Sequence, residues 1–255
     1  MSRYRAAWYH FLISLGILVF LAYLVVFVWY PGFFFTIDGG WQGMRLITAV
    51  DLVLGPLLTL IVFKAGKPGL KFDLTVIGLL QSLCLAAGLF IVYNERPQFF
   101  VFYDGYFYSN SADTYLDFGQ TPPSPSEFAE TTPAYVIALP PSDPIEEADL
   151  RRLLFQDRTP LWAYPAIYET LSEHQDKVMQ SGFPLAEIRT RDNEGALDRW
   201  ISRHGGDESD YLFVPVQSRY GNPFVGISKR DRSFIGILDV PAPLARGDVP
   251  NQEND

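Results

Sequence analysis

Three apolar runs leave this chain few ways to fold. From Trp8 to Trp29 the polar side chains are Tyr9, His10, Ser14 and Tyr23 alone, and at ~1.5 Å per residue such a run crosses a hydrocarbon core about 30 Å thick. A second run spans Met44 to Phe63 and a third Phe72 to Tyr93. Lipid offers the backbone no hydrogen bonds, so runs of this length are predicted as transmembrane helices. The first run ends in Val28, Trp29, Tyr30 and Pro31, not in the small residues of a cleavage site. It is therefore expected to be retained and not removed as a signal peptide.

The charges between the runs set the expected orientation. Arg3 and Arg5 precede the first run, and Lys64, Lys67 and Lys71 fill the loop between the second and third. Between the first and second, the only charge before the helix is Asp38. Lys and Arg favour the cytoplasmic side of short loops, which places the N-terminus and residues 64–71 inside and everything after Asn94 outside. Trp29, Tyr30, Trp41 and Tyr93 then fall at the outer interface, the depth that aromatic rings prefer. The membrane is expected to be crossed by residues 1–93, with residues 94–245 forming an extracytoplasmic domain, periplasmic if the organism is Gram-negative.

Net charge changes sign at the same boundary. Before Asn94 there are six basic and three acidic residues, 6 − 3 = +3; the remainder holds 20 − 6 = 14 basic against 29 − 3 = 26 acidic, or −12. A domain this acidic repels a nucleic-acid backbone, and no nucleic-acid partner is expected. Cys84 is the single cysteine, which rules out an intramolecular disulfide; within its apolar run it reads as a small buried hydrophobe.

In the exported part, Asp104-Gly105 between Phe99–Tyr103 and Tyr106–Ser109 signals a two-residue hairpin. Gly119 to Pro133, with four prolines, reads as an exposed linker of poor order. Ala134 to Leu139 reads as a strand. Asp143 and Glu146 form a capping-box pattern, with Pro144 at the first helical position. A helix is predicted from Pro165 to about Gly182, and another with Leu197, Trp200, Ile201 and His204 on one face ahead of Gly205-Gly206. Strands are predicted at Tyr211–Gln217, Phe224–Ser228 and Phe234–Val240, and the tail 246–255 as disordered. Strands and helices segregate, so the expected class is three transmembrane α-helices plus an extracytoplasmic α+β domain with an antiparallel sheet.

The chemistry-bearing residues are few. His10, His174 and His204 lie apart, with no partner at metal-ligand spacing, no phosphate loop and no nucleophile elbow. No catalytic residue, metal or cofactor is expected. Asp51 and Asp73 could pair as aspartyl-protease carboxylates only at close range, and they lie at different depths. Arg45 and Asp51 stand out instead, because a charge at membrane depth costs roughly 3 kcal/mol and is usually kept for a purpose. Arg45 can extend its stem to the outer interface. Asp51 cannot, and it shares a helix face with Thr48, Gly55 and Thr59, where its expected partners are Tyr23 or Gln81 within the bundle, or a partner's helix. Pro56 is expected to kink that helix near Leu52, and Gly78 and Gly88 to let the third helix approach its neighbours.

The string YPGFFFTIDGGWQGMRLITAVDLVLGPLLTLIVF, followed by a basic turn, Asp73 and NERPQFFVFYDGYF, resembles the type IV pilin accessory proteins of the TfpX/TfpZ group. The resemblance rests on Tyr30-Pro31-Gly32, Gly39-Gly40-Trp41-Gln42-Gly43, Asp51 to Thr59 and Arg96-Pro97, and covers about the first 110 residues. It implies a non-enzymatic inner-membrane protein that assists a major or minor type IV pilin. The charge and helix-face reading gives Arg45, Asp51, Gly55, Pro56 and Thr59 as candidate contacts within the bundle or with a partner's helix. Tyr30, Pro31, Gly39, Gly40 and Trp41 would form the interfacial loop. The alternative reading is a membrane-anchored sensor or adaptor whose periplasmic domain binds a small ligand or envelope component. Oligomeric state is left open.

Overall fold

The computed structural model describes residues 2–245; the tail expected to be disordered lies outside them. The chain divides between Arg96 and Pro97 into two units.

The first unit holds α1 (Arg3–Trp29), α2 (Gly40–Val62) and α3 (Leu70–Asn94), each long and apolar enough to cross a membrane. Two stretches are wound as π-helix, Leu24–Trp29 and Thr48–Leu54. The second lies just before Gly55-Pro56 and includes Leu52, whose carbonyl loses its donor because proline has no N–H; wider winding absorbs the defect. Between α1 and α2 the chain makes one helical turn, Phe34–Ile37, that buries Phe34 and Ile37. Gly39, at φ 95°, reverses direction into α2.

Two expectations for α3 are corrected. Its buried positions are Ile77, Gln81 and Val92, and Cys84, one turn from Gln81 but off that line, is exposed. Gly78 and Gly88 have open space where a Cβ would stand. Close approach occurs instead at two glycines of α2, where a Cβ on Gly43 would meet Val92 and one on Gly55 would fall on the Gln81 side chain.

The second unit is built on β1 (Phe99–Tyr103), β2 (Tyr106–Asn110), β3 (Ala134–Ala138), β4 (Tyr168–Thr170), β5 (Tyr211–Gln217), β6 (Phe224–Ser228) and β7 (Phe234–Leu238). Among the described residues they form one seven-stranded sheet in the order β4-β3-β1-β2-β5-β6-β7. Asp104 and Gly105 both take positive φ, 46° and 80°, the pair of left-handed residues that a type I′ hairpin needs. The sheet is mixed, which corrects the antiparallel expectation: β3 runs parallel to β1, and β5 parallel to β2. Long excursions precede both strands, and a long crossover is what a parallel neighbour requires.

Helices α4 (Ala112–Asp117), α5 (Pro144–Gln156), α6 (Gln175–Met179), α7 (Leu185–Arg191) and α8 (Ala196–His204) connect the strands. The helix expected over 165–182 is broken. Tyr168 is drawn into the core, where its hydroxyl donates to the Trp162 carbonyl at 2.5 Å and lies 3.1 Å from the Tyr115 hydroxyl, so the chain pairs with β3 there, and the flanking helical pieces are the 3-10 turns Pro165–Ile167 and Leu171–Glu173 and the short α6. Asp143 caps α5 by accepting from the Ile145 and Glu146 N–H groups at 2.8 and 3.1 Å. Within 119–133, Phe128 packs edge-on against Phe99, 5.6 Å between centroids.

Side-chain alternation gives the sheet two covered faces. Phe99, Val101, Tyr115, Val136 and Tyr168 form one cluster. Further along, Ile188, Leu197, Trp200, Phe213 and Phe224 form another under α7 and α8. The opposite face closes on itself. Phe234 of β7 lies 4.9 Å from Tyr135 of β3, 5.5 Å from Phe107 of β2 and 6.0 Å from Phe100 of β1, so the last strand curls back over the first three. Phe100 and Phe107 stack at 4.4 Å beneath it. On the outer face Gly226 is required, because a Cβ there would enter the Trp200 indole and touch Phe213. Gly226→Val is expected to destabilise this unit by about 1–3 kcal/mol through overpacking, read as faster limited proteolysis beyond Pro97 in the intact protein.

Candidate functional site

The polar residues of the membrane unit gather on its inside. Ser14, Asp51, Thr59 and Gln81 are all buried, at 2, 5, 4 and 8% exposure, in an otherwise apolar bundle. Asp51, Gly55 and Thr59 share the inward face of α2 because they are one turn apart. At the lower end, Thr59 Oγ1 lies 2.6 Å from His10 Nδ1 on α1. Ser14, one turn further along α1, and His10 both lie within electrostatic reach of the Asp51 carboxylate. Gln81 of α3 packs over the bare backbone at Gly55. Among the described residues, its two amide atoms and Asp51 Oδ2 have no hydrogen-bond partner.

The structure therefore brings Asp51, Gly55 and Thr59 together and adds His10, Ser14 and Gln81 to them. Tyr23, an expected partner of Asp51, is 59% exposed and packs its ring on Phe27 at 5.5 Å. The reason lies in the start of α2, at Gly40 instead of Met44: the earlier start carries Asp51 about one turn deeper, toward Ser14. Arg45 is exposed on the outer side of α2 and does not join the cluster. Pro56 is half-buried beside Gly55. Asp73 is apart from all of these, in an exposed ion pair with Lys67 at 2.6 Å.

The loop residues have separate tasks. Tyr30 is 1% exposed and its hydroxyl donates to the Val92 carbonyl at 2.8 Å, tying the end of α1 to α3. Trp29 meets Tyr93 edge-on at 5.3 Å. Gly40 sits where a Cβ would strike the Phe35 backbone. Trp41 points outward, 55% exposed, with its ring edge toward Phe35, and Pro31 is half-buried in the turn.

Comparison with known proteins places this arrangement. A family model described as fimbrial assembly protein FimB matches residues 1–38. A fimbrial assembly protein of serogroups C1 and C2 from Dichelobacter nodosus is 38% identical over 96 residues, 36% of this chain and 72% of that protein. The chain belongs to the fimbrial assembly protein family. Two further members from the same organism, of serogroups I and E1, are 38% and 36% identical over 96 residues, and the chain spans 37% of the length of each. No solved structure matches. The matched FimB residues, 1–38, take in His10, Ser14 and Tyr30, which contribute the α1 side of the cluster and the tie to α3.

Sequence pattern alone pointed to Asp51 but not to His10 and Ser14. Their signal was available, since polar residues one turn apart in an apolar run define a face. Asp51→Leu is expected to reduce surface fimbriation more than Asp73→Asn at matched protein level. The first removes the buried carboxylate that faces Ser14 and His10, at roughly 1 kcal/mol per lost polar contact in membranes; the second removes an exposed pair worth ~0–1 kcal/mol. Equal fimbriation of the two variants would take Asp51 out of this site.

Proposed function

We propose that this protein is a non-enzymatic accessory or chaperone of type IV pilus assembly, of the TfpX/TfpZ kind, that assists a pilin held in the inner membrane. The observation that carries the reading is the relation to a fimbrial assembly protein over 72% of that protein's length. A pilin awaiting assembly has one membrane helix and one exported domain, so a helper with both parts can address both. The pilin helix would lie along the outward face of α2, where Val53, Leu54, Leu57 and Ile61 are exposed, since Gly43, Gly55 and Thr59 are already packed inside the bundle. Charge contributes little there. Arg45 is at the wrong end for an acidic residue near the cytoplasmic side of a pilin helix, and Lys67 already binds Asp73.

Two experiments test this reading. Purification of the tagged protein from fimbriated cells should bring membrane-resident pilin with it, and Asp51→Leu should lower the yield. Failure to recover pilin above a control membrane protein would overturn the proposal. In reporter fusions, alkaline phosphatase is expected to be inactive at Gly66 and active at Gly119. The reverse pattern would place the acidic unit in the cytoplasm, away from any exported pilin domain.

A further inference from the structure

We propose that the open side of the coiled sheet, between β7 and α6, is a binding site for a small apolar ring bearing an anionic group. The ring would rest on Tyr135 and Phe234 and the charge on Arg232. The site is distinct from the membrane cluster and does not depend on the assembly reading.

Where β7 curls back toward β3 the two do not pair, and the space left is a cleft of about 220 Å³ open to solvent on one side. Tyr135, Val178, Met179, Ile227 and Phe234 line it. An apolar cavity of about 150 Å³ already takes benzene, so this one has room for a substituted ring and too little for a larger cofactor. Of its lining, Val178 and Ile227 are buried, at 4 and 2% exposure, and burial pushes the Tyr135 phenol up to about 12.

Arg232 stands at the edge of this cleft in a conformation that needs explaining. Its φ is 60°, the left-handed region that favours glycine. Strain at a non-glycine residue persists where the surroundings fix it, and it gathers at functional positions. Here the Arg232 N–H donates to the Ser228 carbonyl at 2.9 Å. Asp231 accepts from the Ser233 N–H and hydroxyl at 3.3 and 2.8 Å, bracing the same turn. The turn holds the guanidinium beside apolar rings in a half of the chain whose net charge is −12, from 14 basic and 26 acidic residues. Its present partner, Asp176 at 2.8 Å, has a side chain 76% exposed. A pair this wet is weak, and an anion delivered with a buried ring can take Asp176's place.

The test uses the full-length protein in lipid nanodiscs, with empty nanodiscs alongside, and fluorine NMR of 4-(trifluoromethyl)benzoate and of the neutral 4-(trifluoromethyl)benzyl alcohol. Saturable broadening of the benzoate above the empty-disc level is expected, with the alcohol binding more weakly. Arg232→Gly removes the cation while suiting the turn's φ, and should weaken the benzoate about tenfold, to the level of the alcohol, whose affinity stays unchanged. Met179→Trp fills the cleft and should abolish binding of both. The proposal is overturned if the benzoate shows no saturable binding, if Arg232→Gly binds it as the parent does, or if Met179→Trp leaves both affinities intact.

Discussion

Gly55→Leu is expected to abolish surface fimbriation, while Gly78→Leu on α3 leaves it near the parental level. Both changes put the same side chain into an apolar helix, so lipid solubility and helix propensity do not separate them. Packing does. A Cβ at Gly55 falls on the buried Gln81 amide, whereas nothing lies within 4 Å of one at Gly78. Alanine at 55 can be met by a swing of the flexible Gln81 side chain, and its effect should be small. Leucine needs several more ångströms between α2 and α3, at about 1–3 kcal/mol for overpacking. That separation also disturbs the neighbours of Gly55 on the inward face, Asp51 against Ser14 and Thr59 against His10. Gln81→Ala should partly restore a Gly55→Leu strain by vacating the contested space. Equal fimbriation of Gly55→Leu and Gly78→Leu would show that the contact between α2 and α3 is not the element that matters.

The same contact shows what a sequence discloses and what it withholds. Features fixed by neighbours in the chain were legible. The Asp104-Gly105 hairpin is one, because two left-handed residues between apolar runs admit few other structures. The helix ending at Gly205 is another: Trp200 and Leu197 face the core one turn apart and Gly205 takes φ 79°. The inward face of α2 was legible too, since Asp51, Gly55 and Thr59 follow the helical period.

Relations between distant segments were not legible. Which glycines are touched depends on the register of three helices, and that register is set by the turn around Phe34–Ile37 and the early start of α2 at Gly40. An error of one turn there already takes Asp51 off the level of Tyr23 and moves it toward Ser14, nine residues earlier on α1. The parallel pairings of β3 with β1 and of β5 with β2 have no local signature, because each joins strands separated by long excursions. Tyr168 gives the sharpest case. Residues 165–182 carry a plausible helical pattern, yet bonds from Tyr168 to Trp162 and Tyr115 commit the segment to a strand. Local propensity yields to tertiary contacts of that kind.

The second large effect expected is an exchange of specificity. In a chimera that keeps residues 1–96 of this protein and takes the remainder from a relative serving a different pilin, pilin preference should follow the exchanged part. The junction is set by the structure, since the chain divides between Arg96 and Pro97 and β1 begins at Phe99. The argument rests on what each half can discriminate. Within the membrane, α2 turns outward apolar side chains such as Val53, Leu54 and Leu57, while its glycines, Asp51 and Thr59 are buried against the neighbouring helices. Such a surface reads close packing, and close packing alone separates one apolar helix from another poorly. The unit from Pro97 onward carries the charge, −12 from 13 basic and 25 acidic residues. Charge complementarity governs partner choice and encounter rate more than raw affinity. Fimbriation by each chimera with each pilin is the measurement, at matched protein level. Preference that moved with residues 97–255 would assign recognition to that unit, and the idea would be falsified if it stayed with residues 1–96.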